Sequence, residues 1–98
     1  ETPNPAEEFI GQWDIGRPEG GGKPAFVMTL NADYSAGKSH VPSATGTWEL
    51  VDGEARVTWS DGWRDIIRRE GDHYRKVAFG VGKTFDSEPS NTDSADKQ

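Results

Sequence analysis

The sequence predicts an all-β domain, an antiparallel up-and-down meander of about seven strands that forms a small barrel or half-barrel. Three observations carry this reading. Residues 46–79 contain four apolar-alternating runs separated by tight-turn chemistry: Asp52-Gly53, Asp61-Gly62 and Gly71-Asp72. Further short runs precede that stretch, again punctuated by Gly, Pro, Asn and Asp. No stretch shows a convincing helical period longer than one turn. Barrel closure is the natural end point of such a meander because it removes exposed edges, and a small sandwich is the competing arrangement.

Taken in order, residues 1–8 read as an extended arm with Pro3 and Pro5, ending in one helical turn at Ala6-Glu7-Glu8. The first strand covers residues 9–16, with Phe9, Gly11, Trp13 and Ile15 on one face. Residues 17–24 contain three consecutive glycines and form a loop. This is not a phosphate cradle, because such loops open a helix and a strand-like run follows, at residues 25–30. Asn31-Ala-Asp33 turns the chain into a weaker strand over residues 34–39, interrupted by Gly37.

Within the meander, two-residue turns set the register. They place Trp48 opposite Val57, Val57 opposite Ile66, and Ile66 opposite Val77, an apolar row across four strands. Leu50 with Ala55, Trp59 with Arg64 and Arg64 with Phe79 share that face. Glu49 with Arg56 and Thr58 with Asp65 occupy the other, where Ile67 is an apolar exception. The single domain is assigned to residues 9–83. Residues 84–98, rich in Ser, Asp, Asn and Thr, read as a disordered acidic tail.

Composition narrows the function classes. Only 32% of the 98 residues are hydrophobic, so four Trp, four Phe and two Tyr must supply much of the core. The absence of Cys removes disulfides and thiolate metal sites. The net charge of −6 resides entirely in the two ends, and residues 9–83 are neutral. An acidic pI therefore says little about a basic partner. Between Arg64 and Lys76, five bases interleave with Asp65, Glu70 and Asp72, which argues against nucleic-acid binding. No apolar run is long enough to span a membrane, and the chain starts at Glu1 rather than Met, as a processed secreted protein or a segment excised from a longer chain would; the expectation is a secreted or periplasmic location.

Gly11-Gln-Trp-Asp-Ile15 matches Gly46-Thr-Trp-Glu-Leu50 in pattern, which reflects either duplication or the need for bare backbone beneath a large ring. The one-turn segment followed by Phe9-x-Gly11-x-Trp13 resembles the start of the lipocalin, fatty-acid-binding and avidin group of barrels. Thr29-Leu-Asn-Ala-Asp33, Gly46-Thr-Trp-Glu-Leu50 and Asp52-Gly53 are similar in style to lipocalin-like domains of secreted bacterial proteins. The resemblance implies a barrel whose Trp13 closes one end. The chain is shorter than a typical lipocalin and lacks a Thr-Asp-Tyr motif.

The candidate site is Trp59, Arg64, Arg68 and Arg75, which this register places on one face at a barrel mouth. Arg68 and Arg75 fall directly opposite each other, so something negative should lie between them: Glu8, Glu19 or an anionic ligand. Trp59 against Arg64 reads first as a cation–π pair. The functional expectation is a non-catalytic module for a small anionic or amphipathic ligand, without cofactor or metal. A second class is a protein-interaction module, such as a proteinase inhibitor using residues 1–8 or an envelope accessory domain. A third is a small hydrolase, which would need His40 or His73 beside an acid and a Ser.

Overall fold

A computed structural model describes residues 5–18 and 21–98. A 3-10 turn, Pro5–Glu8, leads into eight strands: β1 Gly11–Ile15, β2 Phe26–Leu30, β3 Ser35–Lys38, β4 Thr45–Val51, β5 Glu54–Trp59, β6 Arg64–Glu70, β7 His73–Phe79 and β8 Asn91–Lys97. They form a closed antiparallel barrel in sequence order, with β8 pairing back onto β1. The expected all-β meander is therefore what the chain adopts, with one strand more than the sequence pattern suggests. Most of the arm expected at residues 1–5 lies outside the described residues.

The extra strand is β8, within the stretch expected to be a disordered tail. Its sequence, Asn-Thr-Asp-Ser-Ala-Asp-Lys, has little β propensity, and only Ala95 is buried. What holds it is position: it bridges the free edges of β1 and β7, so its backbone hydrogen-bonds on both sides. The seam is reinforced where the Gln98 amide donates to Asp14 Oδ1 at 2.8 Å.

The up-and-down topology sends the turns after β2, β4 and β6 to one end of the barrel. The 3-10 turn plugs that end. Phe9 and Trp13 are fully buried there, and the Trp13 indole N–H donates to the Phe9 carbonyl at 2.9 Å. Tyr74 meets Trp13 edge-on at 4.9 Å between ring centroids, and its hydroxyl donates to Glu8 Oε2 at 2.6 Å. Lys97 Nζ donates to the Glu8 carbonyl at 3.0 Å and sits above the Trp13 ring. Residues 5–8 are thus built into the closed end rather than projecting as an arm.

Register follows the sequence reading across β4–β5 and β6–β7. Trp48 faces Val57, Leu50 faces Ala55, Ile66 faces Val77 and Arg68 faces Arg75. Across β5–β6 it does not: Val57 faces Asp65 and Arg56 faces Ile66. The cause is a three-residue loop, Ser60-Asp61-Gly62. Gly62 takes a φ of +94°, and the Trp59 amide donates to the Trp63 carbonyl at 3.0 Å. A slip of one residue exchanges faces throughout β6 and β7. Asp65, Ile67, Tyr74, Lys76 and Ala78 therefore point inward, while Ile66, Val77 and Phe79 form an outer apolar strip covered by Phe85. Ile67 is no exception on a wet face but a fully buried core residue.

The two glycines of the Gly-x-Trp pattern have different neighbours: Gly11 faces the Lys97 side chain, whereas the missing Cβ of Gly46 leaves room for the ring of Trp59 on the neighbouring strand. A Cβ at Gly46 would lie 2.6 Å from Trp59 Cε3 and 3.1 Å from the Thr58 carbonyl oxygen. Gly46→Ala should lower stability in urea unfolding by about 1–3 kcal/mol. Gly37→Ala, where nothing lies within 4 Å, should be neutral or stabilising by up to about 1 kcal/mol. Equal effects at the two positions would remove the packing explanation.

Candidate functional site

The opposite end of the barrel, which carries the longer loops, is open. Inward-facing Phe26, Lys38, Asp65, Lys76 and Ala78 are roofed by His40, Val41, Asp61 and Trp63 from those loops, around a cavity of about 360 Å³. The strand interior is thus divided, with a solid apolar half beneath Trp48, Val57 and Ile67 and a polar half at the mouth.

Three ionisable residues dominate the mouth. Lys38, Asp65 and Lys76 are 7%, 5% and 4% exposed. Lys38 Nζ donates to Asp61 Oδ2 at 2.8 Å and lies 4.6 Å above the Trp59 ring. Lys76 Nζ bonds Asn91 Oδ1 at 3.0 Å and pairs with Asp93 Oδ2 at 2.9 Å. Asp65 takes a different partner: its Oδ2 accepts the Trp59 indole N–H at 2.7 Å. The two lysines therefore reach for the partly exposed rim carboxylates and leave Asp65 with a neutral donor.

Electrostatics follow from that geometry. Burial pushes the Asp65 carboxyl above its ordinary value of 3.8, against the opposing pull of Lys76, the Trp59 hydrogen bond and Lys38. Burial also resists ionisation of Asp61, but the hydrogen bonds from Lys38 and the Trp63 amide outweigh it and hold that group below the ordinary value. His40 is held below its usual range by burial and then by the Lys38 charge, and its ring stacks on Phe26 at 4.0 Å.

The sequence-derived site is divided by the barrel wall. Trp59 points inward beneath Lys38, whereas Arg64, Arg68 and Arg75 lie on the outer face. The cause is again the three-residue loop, which places Trp59 opposite Trp63 rather than Arg64. Arg64 instead donates to the Lys83 carbonyl on the segment that carries Phe85. Arg68 and Arg75 do face each other, with Glu70 accepting from Arg75 Nε at 2.8 Å and Glu54 lying 4.0 Å from Arg68 Nε. The negative charge at that pair is thus supplied by Glu54 and Glu70. Glu8 serves Tyr74 and Arg69 at the closed end, and Glu19 lies outside the described residues.

His73 is exposed beside Asp72 and Glu70, and among the described residues no hydrogen bond joins its side chain to a serine. Among the described residues, no group of three or more His, Cys, Asp or Glu is arranged to hold a metal ion. No helix there is long and apolar enough to cross a membrane. Comparison with protein families, curated proteins and solved structures finds no match.

The Asp65 carboxyl gives a pH signature. Its folded pKa lies above its unfolded value, so the folded chain holds the extra proton between the two. The associated stability is present below about 3.8 and is lost as pH rises through the folded pKa. Asp65→Asn should therefore gain thermal stability relative to the unaltered protein as pH is raised from about 4 towards 7. Parallel stability–pH curves for the two proteins would contradict this assignment.

Proposed function

We propose that the protein is a non-catalytic β-barrel module that holds a small amphipathic molecule at its open mouth. The observation that carries this reading is the burial of Lys38, Lys76 and Asp65 around a cavity rather than within packed interior. Buried ion pairs add little stability over well-packed apolar residues, so the fold itself has small need of them. A cavity of about 360 Å³ lies within the range of small-molecule sites, and Phe26, Val41, Trp63 and Ala78 give it an apolar wall.

Binding is favoured over hydrolysis by the lining. Among the described residues it contains no Ser, Thr or Cys to act as nucleophile, and its lysines are paired with the Asp61 and Asp93 carboxylates rather than left free to attack. The plugged end adds support, since a one-turn segment and Trp13 closing one end resemble the lipocalin, fatty-acid-binding and avidin group, and leave the other end for a ligand. On the outer wall Arg68 and Arg75 have carboxylate neighbours and Arg64 bonds a backbone carbonyl, so they give no reason to require an anion.

A thermal-shift screen followed by titration of tryptophan fluorescence tests this, because Trp59 and Trp63 border the mouth. Lys76→Met should remain folded, since Asp93 is at the rim and can rehydrate, and should weaken a bound hit about tenfold or more. Arg68→Ala on the outer wall should leave the affinity unchanged. The opposite pattern would move the site back to the arginine face.

A further inference from the structure

The unspent charges and hydrogen bonds of the mouth restrict what it takes. Asp61, Asp65 and Asp93 stand against Lys38 and Lys76. An anionic ligand would add to an existing excess of carboxylates, while a cationic one would be pressed against two ammonium groups at the same depth. Either is costly in a poorly hydrated site. An uncharged ligand avoids both penalties.

Hydrogen-bond capacity sharpens the choice. An ammonium group has three N–H donors. Lys38 gives one to Asp61, and Lys76 gives one to Asn91 while pairing with the charge of Asp93. Both lysines thus keep donors for a ligand acceptor. Asp65 accepts one hydrogen bond, from Trp59, and a carboxylate has further acceptor positions for a ligand donor. Donors and an acceptor on one cavity lining call for a ligand with an acceptor beside a donor. The Phe26 and Trp63 walls favour a ring over a polyol, because rings bury apolar area against aromatic side chains.

Building on the reading of the mouth as a ligand site, we infer that its ligand is an uncharged planar heterocycle carrying a lactam edge, a ring C=O next to a ring N–H. The C=O accepts from Lys38 or Lys76, and the N–H donates to Asp65. Pyrimidinediones and purinones have this chemistry.

The test is calorimetric and fluorescence titration of the whole chain at pH 7 with uracil, hypoxanthine, 1,3-dimethyluracil, benzoate and benzylamine. Uracil or hypoxanthine should saturate the protein at millimolar concentration or below. Methylation of the ring nitrogens should weaken binding about tenfold or more, because it removes the donor to a buried carboxylate. Tighter binding of benzoate or benzylamine, equal binding of 1,3-dimethyluracil, or no saturation by either lactam would each overturn the lactam assignment. Those results leave the mouth itself intact as long as Lys76→Met weakens whichever compound does bind. Binding that is indifferent to Lys76→Met would instead overturn the mouth as the site.

Discussion

One additional loop residue between Trp59 and Trp63 determines which half of β6 and β7 the barrel encloses. With Gly62 at positive φ, the β5–β6 hairpin closes over three residues rather than two. Every side chain beyond it then takes the opposite face. The exchange brings Asp65 and Lys76 inside, where apolar Ile66 and Val77 would otherwise sit. It also creates an outer apolar strip, which the segment between β7 and β8 must cover with Phe85. The polar mouth and the covering segment are two results of a single local geometry. Trp59 ties the hairpin to the mouth, since its ring fills the space over Gly46 and its indole N–H donates to Asp65.

The barrel separates a packed apolar end from an open, charged end along its length. At the closed end, Phe9, Trp13 and Tyr74 bury large aromatic area, and each polar tip there has a bond: Trp13 to a carbonyl, Tyr74 to Glu8, Lys97 to the 3-10 turn. Such an end is expensive to open. At the other end, the charged heads bond to rim groups that also face water. Those bonds are weaker, because water competes for the rim groups. Strand β8 serves both ends at once, with Lys97 on the plug and Asn91 and Asp93 at Lys76.

Much of this architecture was legible in the residues. Asp52-Gly53 adopts positive φ at both positions, so the β4–β5 register followed directly from the turn chemistry. Gly71 at the head of a two-residue turn did the same for β6–β7. Asp61-Gly62 looks identical to Asp52-Gly53 in sequence, yet its glycine closes a longer loop, and nothing in the dipeptide distinguishes the two. Because Ile66 pairs well with Val77 on either face, the β6–β7 pattern did not reveal the error. The inward lysines were hidden for the same reason, since Lys76 alternates with Tyr74 and Ala78 while the more apolar Val77 and Phe79 suggested the other face. β8 was hidden because its pairing comes from the edges it joins rather than from its own side chains.

The presence of two lysines and a carboxylate in so small an interior is what supports the proposed reading of the mouth. A 98-residue chain with 32% hydrophobic content has little apolar area to spare, and each of these positions could have extended the core beneath it. Lys38 stands two residues beyond Ala36 on the same inward face, and Lys76 stands between Tyr74 and Ala78. Alternation thus delivers charge where the barrel is otherwise apolar. Pairing with Asp61 and Asp93 offsets the desolvation of the ammonium groups, but Asp65 has no lysine at hydrogen-bond distance. Its burial beside the cavity is partly offset by the charge of Lys76, the Trp59 hydrogen bond and the charge of Lys38. If the mouth is the ligand site proposed above, a ligand donor placed on that carboxylate would add to this compensation, and Asp65 rather than the arginines outside would be the group that orients the ligand.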